Sequence, residues 1–274
     1  MKEVLEKIRE GVLDVMFPAK CAGCGKEGKY ICEDCSVFLG ESALICPTCQ
    51  QSSFTGEAHR TINDSPLTRN RDREQESQSL RVTSQKSTCA SRYGLDGLAS
   101  VWEYEGLMEN LIGGIKYHGV THAIPELLES AFCSMERDRA RFAPFIAFLE
   151  SADALAYVPA FQKRERQKGF NQAKLIAQDM EKKCAGKVVS LLARTKDTKS
   201  QTKLTRLKRK ENVKGVFAES KALQLPKWHV GNFPARVVLV DDVWTTGATM
   251  QECCRVLKKA GVREVWGFTI ARTV

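Results

Sequence analysis

Two adjacent carboxylates, Asp241 and Asp242, follow the apolar run at 237–240, and after Val243 and Trp244 come Thr245, Thr246, Gly247, Ala248 and Thr249. Four aliphatic residues in a row suit a strand buried on both faces, as in a parallel sheet. Ligands of such sheets bind at the carboxyl ends of the strands. A helix that opens there offers free N–H groups and the positive end of its dipole, which attract phosphate. Gly247 allows close backbone approach, and the threonine hydroxyls add hydrogen bonds. Paired carboxylates above such a cradle suit vicinal ribose hydroxyls, directly or through Mg²⁺. The stretch therefore describes a site for a ribose 5-phosphate. An ordinary strand, turn and helix with N-capping threonines is the alternative. No GxxxxGK[ST] loop of the Walker type occurs.

Two basic segments suit a more highly charged anion. Lys163, Arg164, Arg166 and Lys168 precede Gly169 and the start of a helix at Asn171, where cations and free N–H groups could converge on a pyrophosphate. A solvated basic loop is the bland alternative. The segment 194–214 holds nine Lys and Arg against Asp197 and Glu211, a local excess of +7. It reads as a basic flap over a polyanion, with Arg194, Arg206 and Arg209 among its cations. A nucleic-acid track and a solvated charged loop fit equally well. It has no aromatic residue before Phe217, which weakens the case for base stacking. Lys116, Tyr117 and His118 follow an apolar helical pattern and are assigned no chemistry.

Cysteines form the third pattern. Cys21-x2-Cys24, Cys32-x2-Cys35 and Cys46-x2-Cys49 lie within 29 residues. Thiolates in such pairs favour tetrahedral Zn²⁺, which takes four ligands. Cys21, Cys24, Cys32 and Cys35 are the expected set, with Cys46 and Cys49 as an alternative pair. Gly23 and Gly25 permit the tight knuckle. A closed tetrathiolate would be structural. A redox pair and an iron–sulfur cluster are the competing readings.

Elements to position these residues are visible in the rest of the chain. It has 274 residues, 43% of them hydrophobic, which excludes a wholly disordered chain. The net charge of +9 favours anionic partners. Residues 1–20 read as an amphipathic helix with Val4, Leu5, Ile8 and Val12 on one face. Glu3, Glu6, Glu10 and Asp14 exclude a signal peptide there. No apolar run is long enough to span a membrane, so a cytoplasmic location is expected, where reduced cysteines favour metal over disulfides. Residues 21–49 form the Cys-rich module, and 50–92 a polar, disordered linker or insertion. Residues 93–274 form an α/β domain. Strands are expected at 98–104, 154–160, 188–194, 235–242 and 264–271, and helices at 107–117, 124–139, 171–183 and 248–260. Such alternation implies a parallel sheet with helices on both faces.

The stretch 237–249 is similar to the signature of the type I phosphoribosyltransferases. With "LIGGIKYHG", "QKGFNQA" and "RTKDTKSQTKLTRLKRKENVKGVF", in this order, the chain resembles the competence protein F (ComF) family. The resemblance covers the Cys-rich N-terminus and nearly everything from Gly94 onward. It implies a zinc-ribbon-like module joined to a type I phosphoribosyltransferase-like domain. It further implies binding of phosphoribosyl pyrophosphate (PRPP) with Mg²⁺, and a part in DNA uptake by handling incoming single-stranded DNA. A DNA-uptake helicase or a recombination mediator is the kind of protein partner it suggests. An active phosphoribosyltransferase of nucleotide metabolism, acceptor unknown, is the alternative. Lys168 stands where the family often has Arg, which keeps the charge and loses the bidentate fork.

Overall fold

A computed structural model of the protein describes residues 18–53, 56–57, 93–198, 212–220 and 233–273. Residues 1–17 of the expected helix, most of the polar segment 50–92, and Arg206 and Arg209 of the basic segment lie outside these residues.

The elements in chain order are β1 (Gly97–Glu103), α1 (Gly106–His118), α2 (Ala123–Arg137), α3 (Arg139–Glu150), β2 (Ala154–Tyr157), α4 (Gln162–Lys168), α5 (Gln172–Met180), β3 (Lys187–Val188), β4 (Leu192–Arg194), β5 (Phe217–Glu219), β6 (Arg236–Trp244), α6 (Ala248–Lys259) and β7 (Glu264–Arg272). Five strands form one sheet in the order β1-β7-β6-β2-β3. Every pairing in it is parallel. The α/β reading with a parallel sheet therefore holds.

The central strand β6 shows why. Val237, Val238, Leu239 and Val240 have no exposed surface. Successive strand side chains point to opposite faces. Val238 and Val240 accordingly enter one core with Ile112, Leu128 and Phe145. Val237 and Leu239 enter the other, with Met250, Cys253 and Leu257 of α6.

Three segments differ from expectation. The expected strand at 188–194 divides. Lys187–Val188 completes the sheet edge, whereas Leu192–Arg194 leaves it and pairs antiparallel with Phe217–Glu219. Leu191 and Leu192 are buried in the core beneath α6, so burial turns the chain away from the sheet. The helix expected to run to 139 ends at Arg137, and a separate helix, α3, follows despite Pro144 within it. The basic run Gln162–Lys168 is itself a short helix, closed by Gly169 at φ 86°.

The Cys-rich module is joined to the sheet through backbone. Glu126 on α2 accepts from Tyr30 N–H at 3.0 Å and from Ile31 N–H at 2.8 Å. Beyond it, Ser42 N–H donates to Val101 O (3.0 Å) and Leu98 N–H to Gly56 O (2.9 Å). These contacts cover the open edge of β1, which would otherwise present unpaired backbone groups. Arg272, 8% exposed at the end of β7, donates through Nε to Ser42 Oγ (2.5 Å) and Ala43 O (2.9 Å). Glu126→Ala leaves two backbone N–H groups without their acceptor. It should lower unfolding free energy by about 1–3 kcal/mol in urea titration, and unchanged stability would refute the docking role of Glu126.

Candidate functional site

A cavity of about 420 Å³ opens at the carboxyl ends of β6 and β2. Of the residues singled out in the sequence, Asp241, Asp242, Thr245, Gly247, Ala248, Thr249 and Arg194 line it. The strand expected to end with the acids at 242 continues to Trp244, so Asp241 and Asp242 lie within β6. Asp241 is aligned with Thr269 of β7 and Val243 with Ala271, so the ladder is regular through this point. Strand alternation then sends Asp241 toward α6 and Asp242 toward α1.

Each acid meets its own surroundings. Asp242 Oδ1 lies 3.1 Å from Lys116 Nζ, in an ion pair with side chains 15% and 22% exposed. Asp241 Oδ1 accepts from Asp242 N–H at 2.9 Å. Burial, reinforced by the charge of Asp242, pushes the Asp241 carboxyl up to about 7, with Lys116 and Arg194 opposing. Burial works against the Lys116 charge, but Asp242 and Asp241 outweigh it and raise its pKa. Sequence reasoning had assigned Lys116 nothing. Its place in the last turn of α1, with the αL cap Gly119 just beyond, was legible. Its partner, on a strand distant in sequence, was not.

The loop after β6 is tightly built. Gly247 adopts φ 73°, and a Cβ there would lie 2.2 Å from the Trp244 ring. Any side chain at 247 is therefore excluded both by backbone conformation and by space. Thr246 does not line the cavity; its Oγ1 accepts from Ala248 N–H at 3.4 Å. Helix α6 begins at Ala248, so Thr245 and Thr246 belong to the loop rather than to the helix.

The basic residues separate. Arg194 lines the cavity and donates to Thr198 Oγ1 at 2.5 Å. Its Nε is buried with no hydrogen-bond partner among the described residues. Burial, then the nearby Arg164, lowers its pKa. Arg164 itself pairs with Asp197 at 2.7 Å and bonds the Thr198 carbonyl, tying α4 to the basic segment. Lys163 and Arg166 are exposed on α4. Lys168 stacks on Phe170 at 4.6 Å. Burial lowers its pKa, Asp242 opposes, and Lys116 adds to the lowering. The helix start expected to receive a pyrophosphate is capped from within: Asn171 Oδ1 accepts from Lys174 N–H (3.4 Å) and Nδ2 donates to Val158 O (3.1 Å). The basic segment is held by the β4–β5 pairing and by Glu252 of α6, which accepts from Gly215 N–H at 2.7 Å.

The sulfurs of Cys21, Cys24, Cys32 and Cys35 all lie within 4.8 Å of one another. Cys24 and Cys32 Sγ are 3.6 Å apart, close to the roughly 3.8 Å edge of a zinc tetrathiolate with 2.3 Å bonds. Gly23 is required, because a Cβ would lie 2.8 Å from Cys35 Sγ, and Gly25 sits at φ 77°. Contact with Cys32, then burial and the other two sulfurs, pushes Cys35 up to about 12. A divalent cation would relieve that crowding, and these four residues could hold zinc. Cys46 and Cys49 do not join the cluster.

Comparison with known proteins gives a consistent result. No protein-family model matches the chain. A 127-residue stretch is 35% identical to competence protein F of Haemophilus influenzae, covering 45% of this chain and 52% of that protein. A stretch of the same length is 32% identical to the DNA utilization protein YhgH of Escherichia coli, covering 46% of this chain and 52% of that protein. Competence protein ComFC of Bacillus subtilis is 23% identical over 253 residues, covering 90% of this chain and 86% of that protein. The chain thus spans about half the length of the first two relatives. These matches bear out the resemblance drawn from the motifs. Among the described residues, no helix is long and apolar enough to cross a membrane.

The raised Asp241 gives a pH signature. Between the ordinary value of 3.8 and about 7, the folded state keeps a proton that the unfolded chain releases. Stability from this group is complete at acid pH and is lost as pH rises through 7. Asp241→Asn cannot titrate, so its melting temperature should gain on wild type steadily between pH 4 and 8. Parallel melting profiles would show that Asp241 is not buried as described.

Proposed function

We propose that the cavity binds PRPP with Mg²⁺. The observation that supports this best is one cavity wall that combines Asp241, Asp242 and the Gly247 loop, faced by the cations Lys116 and Arg194. In this reading the two carboxylates take the ribose hydroxyls or the cation. The Gly247 loop and the start of α6 take the 5-phosphate. Arg194, with its unpartnered Nε, suits the pyrophosphate, joined from the rim by Lys168 and from the basic segment by residues such as Arg206 and Arg209. A bound Mg²⁺ supplies neutralising charge to the pyrophosphate. Lys116, which pairs with Asp242 at 3.1 Å, would be placed to meet a phosphate oxygen where a cation took its place at Asp242.

The relatives' names supply the biological side. We infer a part in DNA uptake, with incoming single-stranded DNA held along the basic segment 194–214. A DNA-uptake helicase or a recombination mediator remains the protein partner to seek. Zinc on Cys21, Cys24, Cys32 and Cys35 makes residues 21–49 a structural ribbon, and residues 93–274 a phosphoribosyltransferase-like domain. A second reading, actual phosphoribosyl transfer, is favoured by Tyr104 and Tyr117 on the cavity wall. A planar acceptor could stack on their rings. Catalysis would then rest on electrostatic stabilisation of the leaving pyrophosphate.

Calorimetry with PRPP and Mg²⁺ tests the ligand. Wild type should bind, and Asp241→Asn/Asp242→Asn should bind about 10- to 100-fold more weakly. If neither binds PRPP but both bind single-stranded DNA equally, the ligand reading is wrong and the function lies in the basic segment. Metal analysis tests the ribbon: the expected result is one zinc per chain, absent in Cys24→Ser and kept in Cys46→Ser. Zinc kept in Cys24→Ser would move the site elsewhere.

A further inference from the structure

The third CxxC pair has no place in the four-sulfur cluster, yet its knuckle is fastened to the candidate ligand loop. Cys46 N–H donates to Gln51 O (2.9 Å) and Gln50 N–H to Cys46 O (2.8 Å), closing a tight turn around Cys49. Gln50 sits at φ 63°, the only described residue other than glycine with a positive φ. A glutamine held in the left-handed region costs energy that its surroundings must offset. From there its side chain reaches across to the loop: Gln50 Nε2 donates to Thr246 O at 2.9 Å. A reciprocal bond returns from α6, where Gln251 Nε2 donates to Pro47 O at 2.8 Å. Two side-chain amides thus grip two carbonyls between segments far apart in sequence.

The acceptor matters because of the peptide that contains it. The C=O of Thr246 and the N–H of Gly247 share one planar unit, and no peptide among the described residues is cis. In a trans peptide the two groups point in opposite directions. Gln50 draws the carbonyl toward the knuckle, and no knuckle residue lines the cavity. The Gly247 N–H therefore points away from the Gln50 amide, and Gly247 itself lines the cavity. The peptide before a left-handed glycine is the one that flips between turn types. A flip here would replace a donor by a carbonyl oxygen, which repels an anion.

We propose that Gln50 is a positioning residue for the ligand loop, so that the Cys46–Cys49 knuckle sets the orientation of the Gly247 N–H toward a bound phosphate. This rests on the phosphate reading of the cavity, and the Cys-rich module then takes part in ligand binding without touching the ligand. Gln251 secures the same grip from the helix side.

The test uses ¹⁵N-labelled full-length protein, wild type and three variants. Gln50→Ala and Gln50→Glu remove the donor, the second at nearly constant size, and Gln251→Leu loosens the grip without altering the knuckle. Affinity is read with inorganic phosphate, ribose 5-phosphate and PRPP with Mg²⁺, beside the Gly247 amide shift and exchange rate without ligand. Each variant should bind the phosphate ligands up to about tenfold more weakly, keep its zinc, and show a shifted, faster-exchanging Gly247 amide. A merely structural role would lower the melting temperature and leave the Gly247 amide where it is. Wild-type affinity in Gln50→Ala would overturn the proposal. If wild type itself binds none of the three probes, the ligand reading fails, and the Gly247 amide alone decides: an unchanged shift and exchange rate in Gln50→Ala and Gln251→Leu would overturn the positioning role.

Discussion

Two carboxylates on a strand buried on both faces are the constraint around which the rest is arranged. The two-residue period of β6 separates Asp241 and Asp242, so each face of the sheet receives one carboxyl group. An ionised carboxylate inside protein is costly unless another group compensates it. Compensation comes from different elements on the two sides. Lys116 descends from α1 to Asp242, while Arg194 stands on the side of Asp241 at the base of the basic segment. Burial, with the charge of Asp242 beside it, outweighs this compensation, which is why the Asp241 carboxyl holds its proton up to about 7. The two carboxylates and the cations Lys116 and Arg194 thus share the lining of one cavity.

The same strand end dictates the loop. Trp244 closes β6 with its ring against the backbone of residue 247, so only glycine fits there. The turn that results places backbone rather than side chains at the cavity wall. Small residues at 247–249 therefore serve packing and ligand approach at once, and substitution at Gly247 would disturb both.

The Cys-rich module is integrated with the sheet rather than appended to it. Its first two knuckles draw four sulfurs together and give a segment with few apolar residues a rigid centre. Its continuation covers the edge of β1, and Arg272 secures it from β7. Its third knuckle reaches α6. The three CxxC pairs, alike in sequence, thus divide: two bring together four sulfurs that could hold a metal ion, and the third is hydrogen-bonded to the Gly247 loop and α6.

The sequence by itself determined the parts whose signal is local. The buried run 237–240, the acids after it, the Gly247 turn, the paired cysteines and the alternation of strands and helices all depend on neighbours in the chain, and each appears where its pattern indicates. Tertiary structure decided what depends on distant partners. Lys116 carries no chemistry in the sequence because the carboxylate that pairs with it arrives on a strand distant in the chain. The run 188–194 looked like one strand because apolar periodicity reports burial but not which surface does the burying, and α6 claims its second half. Residues 162–168 looked like an anion-binding loop because their charges obscured a helix whose Arg164 is spent on Asp197. Cys46 and Cys49 looked interchangeable with the other pairs because spacing specifies a knuckle, and only the folded chain determines what that knuckle touches.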